Sequence, residues 1–414
     1  LQALTGAPVI SSEGRAYPVE VIYGKPSEPR DRVVDRVVET TMRAVKENPN
    51  SSLLVFLPGQ GEITRTFDEL KTRLNGEVTL HPLYGNLSIQ QQQAAIEPAD
   101  GRKIVLATNI AETSLTIEGV DVVVDSGLAR EPRFDPNSGM TRLHTVRISA
   151  ASAAQRTGRA GRLRPGHCYR LWSAQQQDQL APHITAEMTQ ADLTGLALSL
   201  FAWGFYSPAD LDFIDEPGPG AWQQAVDLLC DLNALERDQQ TLTSHGEQMA
   251  ELPVHPRLAH MLIRGAEIGQ SQMAGYLAAL LSDRNPLAAD EPDISIHLEV
   301  LAGNRPCPGR HKSWRQRTQS LASQLISRNS NVAIKRAENV VVSESDVTGY
   351  LLACAYPDRV ARRRHNGGYQ LANGRSASFF DRQLLDKQAW LAIAEVGGLA
   401  RSRGDTIRTA APLN

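Results

Sequence analysis

A chain of 414 residues is too long for one hydrophobic core and points to about two to four domains. Its 41% hydrophobic and 21% charged residues are ordinary for a soluble globular protein, and a net charge of −3 excludes a global field that would draw in nucleic acid, so any such binding must come from local patches. Four widely spaced cysteines without a C-x-x-C pair argue against a zinc site or a disulfide framework and fit a reducing cytosol, and no apolar run reaches membrane-spanning length.

The opening, LQALTGAPVISSEG, has neither a basic n-region nor a long apolar h-region, and it begins on Leu1 rather than Met. It reads as the interior of a longer polypeptide. Residues 18–23 are strand-like. Residues 30–47 follow helical periodicity, with Val33, Val34, Val37, Val38, Met42 and Val45 on one side. Strands are predicted at 53–57, 78–83, 103–107 and 121–124, with helices at 60–74 and 88–96 between them. Continuous β-branched runs bounded by helices predict a parallel sheet covered on both faces. Ligands of such folds lie at the carboxyl ends of the strands.

Between 126 and 149 two extended arms flank Asp135-Pro136-Asn137-Ser138-Gly139, a dense turn signal that predicts a β-hairpin. A helix starting near Ser149 as N-cap follows, and a strand at 167–172 closes the first domain. Residues 174–183 read as a polar linker. Helices at 190–203 and 221–233, a polar turn at 237–240 and a helix after Ser244 suggest a winged-helix module of low basic content. Residues 257–281 form an amphipathic helix pair. Residues 286–311 are Pro- and Gly-rich and read as irregular. Helices are expected at 311–328 and 344–356, and the tail alternates short strand-like segments with glycines, as part of a small barrel does.

Three stretches carry chemistry. Residues 155–162 read QRTGRAGR, with Arg156, Arg159 and Arg162 at intervals of three. On a helix they would lie on one slowly drifting line. Two glycines in a helix cost about 1 kcal/mol each, so close approach of a phosphate or of a facing domain has to justify them. The bland alternative is a solvated basic helix end. Residues 107–117 read ATNIAETSLTI and residues 53–62 read LLVFLPGQGE. In this order the three segments resemble motifs IV, V and VI of the second RecA-like domain of superfamily 2 helicases, the DEAH-box group. LTSHGEQMAELPVHPRLAHMLI (242–263) resembles the helical region that follows in that group. DRVARRRHNGGYQLANG (358–374) makes the chain most similar to the bacterial HrpB-type helicases.

The resemblance implies an α/β RecA-like domain at 1–173, a winged-helix domain at 174–252, a helical-bundle, ratchet-like domain at 253–357, and the start of an OB-like C-terminal region at 358–414. It implies the carboxyl-side portion of an ATP-dependent RNA helicase in the cytoplasm. By the same resemblance, Arg159 and Arg162 contact the γ-phosphate and Gln155 orients the attacking water. Ser114 senses nucleotide state, and Thr116 and Glu118 are nucleotide-side contacts, Glu118 to the ribose. Thr108 and Asn109 hold the nucleic acid backbone, and Gly59 and Gln60 offer a bare amide and a side-chain amide to a phosphate. Many relatives have Asp where Glu118 stands. Arg156 reads as structural. For Thr108 and Ser114, loop hydrogen bonding without a ligand is the alternative.

No G-x-x-x-x-G-K-[ST] and no D-E-x-H occurs in the chain. The phosphate cradle and the ligands of ATP-bound Mg2+ are therefore expected on a first RecA-like domain, which would be this chain's own partner. Its other partner is single-stranded RNA, with DNA left open because these motifs grip the sugar-phosphate backbone. On its own, such a chain is expected to be inactive. A DNA translocase and a non-catalytic nucleic-acid-binding adaptor are the alternatives. The ten histidines show no metal spacing, no metal site and no membrane association is expected, and Trp314, among Arg310, Lys312, Arg315 and Arg317, could stack a base or lie buried.

Overall fold

The apolar runs of the first half become strands of one sheet in the computed structural model of the chain. It describes residues 2–413 apart from 12–16, 27–31, 75, 77, 86, 100, 113–116, 136–139, 238–240, 284, 331–341, 344, 366, 382–383 and 398–404. In order come α1 (Gln2–Thr5), β1 (Val19–Tyr23), α2 (Val33–Glu47), β2 (Ser52–Phe56), α3 (Gln60–Arg73), β3 (Thr79–Leu83), α4 (Ile89–Ile96) and β4 (Lys103–Ala107). Then follow β5 (Val120–Asp125), β6 (Leu128–Asp135), β7 (Met140–Arg147), α5 (Ala150–Gly158), β8 (Gly166–Arg170) and α6 (Ala174–Asp178).

The sheet runs β1-β8-β5-β2-β4-β3, and every neighbouring pair is parallel. Successive side chains of a strand point to opposite faces, so an all-parallel sheet needs both faces covered. Leu53 and Val55 pack with Val37 of α2 and Ile63 and Leu70 of α3. Leu54 and Phe56 pack with Ala95 of α4 and Ala160 beyond α5. This is the RecA-like architecture. The sheet fixes its helices by more than packing: Lys103 is only 2% exposed and donates from Nζ to the carbonyls of Ala95, Ile96 and Glu97, satisfying the C-terminal end of α4. At the other end of α4, Ser88 and Gln91 form a capping box.

β6 and β7 form a two-stranded sheet at the place of the expected hairpin; its turn, 136–139, lies outside the described residues. Residues 174–183 are not merely a linker. Ser173 and Gln176 make a second capping box, which is enough to start the short α6.

The chain divides into two compact units, Leu1–Arg133 with Thr141–Gln190, and Phe134–Met140 with Ala191–Asn414. The second contains α7 (Thr194–Ala202), α8 (Pro219–Asp231), α9 (Ser244–Ala250), α10 (Pro256–Glu267), α11 (Ser271–Ser282), α12 (Ile294–Ala302), α13 (Lys312–Ser330) and α14 (Val347–Ala355). Between α8 and α9 a single antiparallel bridge joins Leu235 and Leu242. Helix α12 corrects the expectation of an irregular 286–311. Asp293 accepts from the Ser295 amide at its start, and Gly303, at φ 95°, ends it in the left-handed region. Trp314 is buried in α13, which rules out the base-stacking reading of that residue.

The tail forms a closed barrel of β9 (Val360–Arg363), β10 (Tyr369–Leu371), β11 (Ser376–Ser378), β12 (Trp390–Gly397) and β13 (Asp405–Pro412) in the order β10-β11-β13-β12-β9. It fits the OB-like module, with closure abolishing the sheet edges. Helix α14 seats on it at Gly349, where a Cβ would stand 2.0 Å from the Pro412 carbonyl oxygen. Arg257 of α10 donates to Asp358 Oδ1 at 2.5 Å, and the guanidiniums of Arg257 and Arg359 lie 5.4 Å and 4.3 Å from the centroid of the Tyr356 ring.

Three histidines of this unit are held neutral. His245 Nε2 and His260 Nδ1 are 2.7 Å apart, and His297 Nδ1 is 2.8 Å from the Asn285 side-chain amide. Burial, with Arg264 adding to it, lowers the pKa of His245 to about 4; burial, then His245 and Arg264, lowers that of His260 to about 3; burial lowers that of His297 to about 4. Each folded value lies below the unfolded value of about 6.5. The stability these groups confer is therefore complete above that pH and is lost as pH falls through about 6.5 toward 4. Urea unfolding at pH 7.5 and pH 5.0 should show a lower midpoint at pH 5.0, on the order of 1–2 kcal/mol per histidine. Equal midpoints would mean that these rings protonate in the folded state without penalty.

Candidate functional site

Helix α5 begins where the Ser149 side chain accepts from the Ser152 amide, as the sequence suggests. It ends at Gly158, earlier than an unbroken QRTGRAGR helix would. Arg159 is its C-cap, and Arg162 lies in the turn beyond it. The glycines explain the break. At Gly161 a Cβ would meet the Tyr17 carbonyl oxygen at 2.5 Å and Val19 Cγ2 at 2.7 Å, so the turn lies against the strand edge of its own domain. The Tyr17 amide donates to the Gly161 carbonyl across that contact. The close approach expected of a ligand or a facing domain is thus made here by the chain itself, while Gly158 opens to free space.

The three arginines separate into different environments. Arg156 is fully buried. It donates from Nε to Glu112 Oε2 at 3.0 Å, and from Nη1 to Asp125 Oδ1 at 2.9 Å and to the Leu128 carbonyl at 3.3 Å. Its guanidinium lies 4.7 Å from the centroid of the Phe56 ring. The structural reading of Arg156 holds. Arg159 is 8% exposed and donates from Nε to the Glu112 carbonyl at 2.9 Å; Nη2 bonds the same oxygen. Burial first, then the neighbouring Arg162, lowers its pKa, although an arginine keeps its charge. Arg162 is exposed. Together Arg159 and Arg162 line a small crevice with Ile117 and Val120. Glu118, next to Ile117 in the chain, is exposed, and Gln155 faces solvent from α5. Ser114 and Thr116 lie outside the described residues.

A second cluster sits at the carboxyl ends of β2, β3 and β4, which are neighbours in the sheet. Gly59 is the extended N-cap of α3, and Gln60 donates from Nε2 to the Tyr84 hydroxyl at 3.3 Å. Half-buried Thr108 is anchored through its amide to the Leu83 carbonyl and opens the short turn Asn109–Ala111; Asn109 is exposed. The four residues expected to meet nucleic acid therefore converge on one edge of the sheet. The two arginines expected to meet nucleotide line another place, and Glu112 stands in the chain between them.

Sequence reasoning passed over Glu112, Asp125 and Arg130. Arg130 Nη2 lies 3.2 Å from Glu62 Oε2, and its guanidinium covers Gly59, where a Cβ would meet it at 2.8 Å. The signal for Glu112 and Asp125 was present: two acidic residues in otherwise apolar segments need a buried cation, and QRTGRAGR supplies one.

The helicase conserved C-terminal domain family matches residues 15–164. Over 393 residues the chain is 40% identical to the ATP-dependent RNA helicase HrpB of Escherichia coli, covering 94% of this chain and 45% of the relative. It is 38% identical over 287 residues to the pre-mRNA-splicing factor ATP-dependent RNA helicase prp22 of Schizosaccharomyces pombe, covering 67% of this chain and 24% of the other. A crystal structure of the E. coli DExH-box NTPase HrpB matches with a TM-score of 0.84 at 39% identity, covering 100% of this chain and 48% of that one. The chain thus spans less than half the length of these relatives.

Removing the buried arginine would strand two buried carboxylates. Arg156→Ala should destabilise the first unit by about 3–5 kcal/mol, the cost of breaking a buried ion pair from one side. Arg162→Ala, at an exposed position, should stay within about 0.5 kcal/mol. Chemical denaturation of both variants checks the contrast; equal effects would remove the structural distinction between the two arginines.

Proposed function

Because the chain belongs to the DEAH-box superfamily 2 helicases, with HrpB-type relatives over nearly its whole length, we propose that it is the carboxyl-side part of an ATP-dependent RNA helicase. The observation that carries this reading is the pairing of Arg159 and Arg162 in one crevice beside Ile117 and Val120. The two charges lie close enough to act on each other. They match the phosphate oxygens of a nucleotide held by a facing RecA-like domain. Such a domain would supply the phosphate-binding loop and the Mg2+ ligands, since this sequence holds neither motif. Bound Mg2+ would offset the charge on the β- and γ-phosphates.

In this reading Arg159 and Arg162 stabilise charge on the departing γ-phosphoryl, and Gln155 orients the water. Ser114, Thr116 and Glu118 form the nucleotide side of the motif V loop. Gly59, Gln60, Thr108 and Asn109 hold the phosphate backbone of a single strand, with RNA as the substrate. The Arg159 guanidinium is bonded to the Glu112 carbonyl, so phosphate would have to compete with that carbonyl for it. Nucleotide arrival would then change the restraint on the loop that grips the strand. Further modules are a winged-helix domain at 174–252, a helical bundle at 253–357 and an OB-like region from 358, in a cytoplasmic enzyme.

Three measurements test the reading. The purified chain should show no ATP turnover, because half of the site is supplied from elsewhere; turnover by residues 1–414 alone would overturn the domain assignment. In the full-length parent, Arg162→Ala should lower kcat about 10³-fold or more while RNA affinity changes little, as for an arginine that acts on transition-state charge. Preserved kcat with weakened RNA binding would make this turn a nucleic-acid patch. ATPase assays with RNA and with single-stranded DNA would separate the two substrates, and absence of any nucleic-acid-stimulated turnover in the parent would favour an adaptor.

A further inference from the structure

We propose that Arg130 is a phosphate contact on the single-strand path, seated over the bare backbone of Gly59 and held there by Glu62. The inference rests on the reading of Gly59 and Gln60 as backbone-gripping residues and extends it to the base of the β6–β7 hairpin.

Arg130 stands on β6, the strand that follows β5 out of the sheet. Its guanidinium reaches the carboxyl end of β2. A Cβ on Gly59 would lie 2.8 Å from Cζ, Nε and Nη1 of Arg130, so a side chain at position 59 would push the guanidinium from its present seat. Nη2 is 3.2 Å and 3.4 Å from the two carboxylate oxygens of Glu62. The same carboxylate takes Arg65 at 3.0 Å. Two guanidiniums share one carboxylate, and the cluster keeps one positive charge in surplus. It does so beside the first turn of α3, where a helix N-terminus also favours an anion.

As a brace for the hairpin this arrangement is weak. The Arg130 side chain is 38% exposed, and its ion-pair distances are long for a guanidinium and a carboxylate. A half-exposed pair of this kind contributes little to stability. As a phosphate contact it is well placed. The cation is oriented by Glu62, open to solvent on one side, and packed over Gly59. Further along α3 the surface carries Asp68 and Glu69, both exposed, which would repel a strand. The surplus cation thus stands at the start of α3, where Gly59 follows β2, and Asp35 of α2 lines the same recess as Glu62 and Arg65.

The test is binding of a labelled single-stranded oligouridine to the 414-residue chain, followed by anisotropy across a salt series. Each phosphate contact on a single strand contributes about 0.7 to the slope of log K against log salt. Arg130→Gln should reduce that slope by about 0.7, and affinity at 0.1 M salt by about fivefold. Arg130→Lys should keep the slope. Glu62→Gln should tighten binding, because it removes the competing carboxylate. A brace predicts something else. Arg130→Gln and Glu62→Gln would then act in the same direction, both lowering the melting temperature, with the salt slope unmoved. That outcome overturns the proposal for Arg130 and leaves the strand-gripping reading intact. If the unsubstituted chain shows no salt-dependent binding, the strand-gripping reading falls, and this inference falls with it.

Discussion

One buried ion cluster holds the candidate site in place. Arg156 joins Glu112, from the loop after β4, to Asp125, at the end of β5, beneath helix α5. An arginine with no exposure is tolerable only because both carboxylates, the Leu128 carbonyl and the Phe56 ring surround its guanidinium. Its planar fork can serve two carboxylates from different strands in one geometry, which a lysine cannot do. Asp125 Oδ1 also accepts from the Gly127 amide, so the same carboxylate shapes the exit of β5 toward the hairpin. Three segments that are far apart in sequence thus depend on a single side chain.

Glu112 binds two arginines in different ways. Its side chain takes Arg156 and its carbonyl takes Arg159. The first bond is buried and permanent in character. The second involves a carbonyl that an anionic ligand could replace, and the guanidinium it holds lies beside exposed Arg162. In the proposed reading, a fixed anchor and an exchangeable one on the same residue would let Glu112 answer a ligand while the fold stays in place.

Much of this was legible in the sequence because it depends on local periodicity. The six apolar runs were strands, the helices between them lay within a few residues of expectation, and Ser149 was the N-cap it looked like. The site was legible to the extent that sheet topology determines it. Gly59, Gln60, Thr108 and Asn109 all follow strand ends, and a parallel sheet brings such ends together. What sequence could not supply were contacts between distant segments. Glu112 and Asp125 in apolar segments call for a buried cation, but their spacing does not say which arginine answers, and nothing places Arg130 over Gly59. Gly161 looked like room for a ligand because a glycine reports close approach without saying by what; here the neighbour is the chain's own Tyr17. Helix α12 was hidden because Pro and Gly flank it densely, although Asp293 and Gly303 mark its two ends.

Charge placement brings the candidate contacts back to one part of the molecule. The chain is close to neutral overall, and from Leu171 to Glu236 it contains neither Lys nor Arg. A phosphate backbone approaching that stretch would meet only acidic and neutral side chains, so it offers no electrostatic term for binding. The first unit has the opposite character: Arg159 and Arg162 line one crevice, and Arg130 with Arg65 shares Glu62 elsewhere. Screening limits the reach of such groups to about 10 Å at 0.1 M salt. Contacts that short in range have to be built by position, and the parallel sheet provides the position: its carboxyl edge sets the bare amide of Gly59, the turn at Asn109 and the surplus cation near Glu62 within one face. In the proposed reading, an anionic strand would be held by such placed groups rather than by net charge.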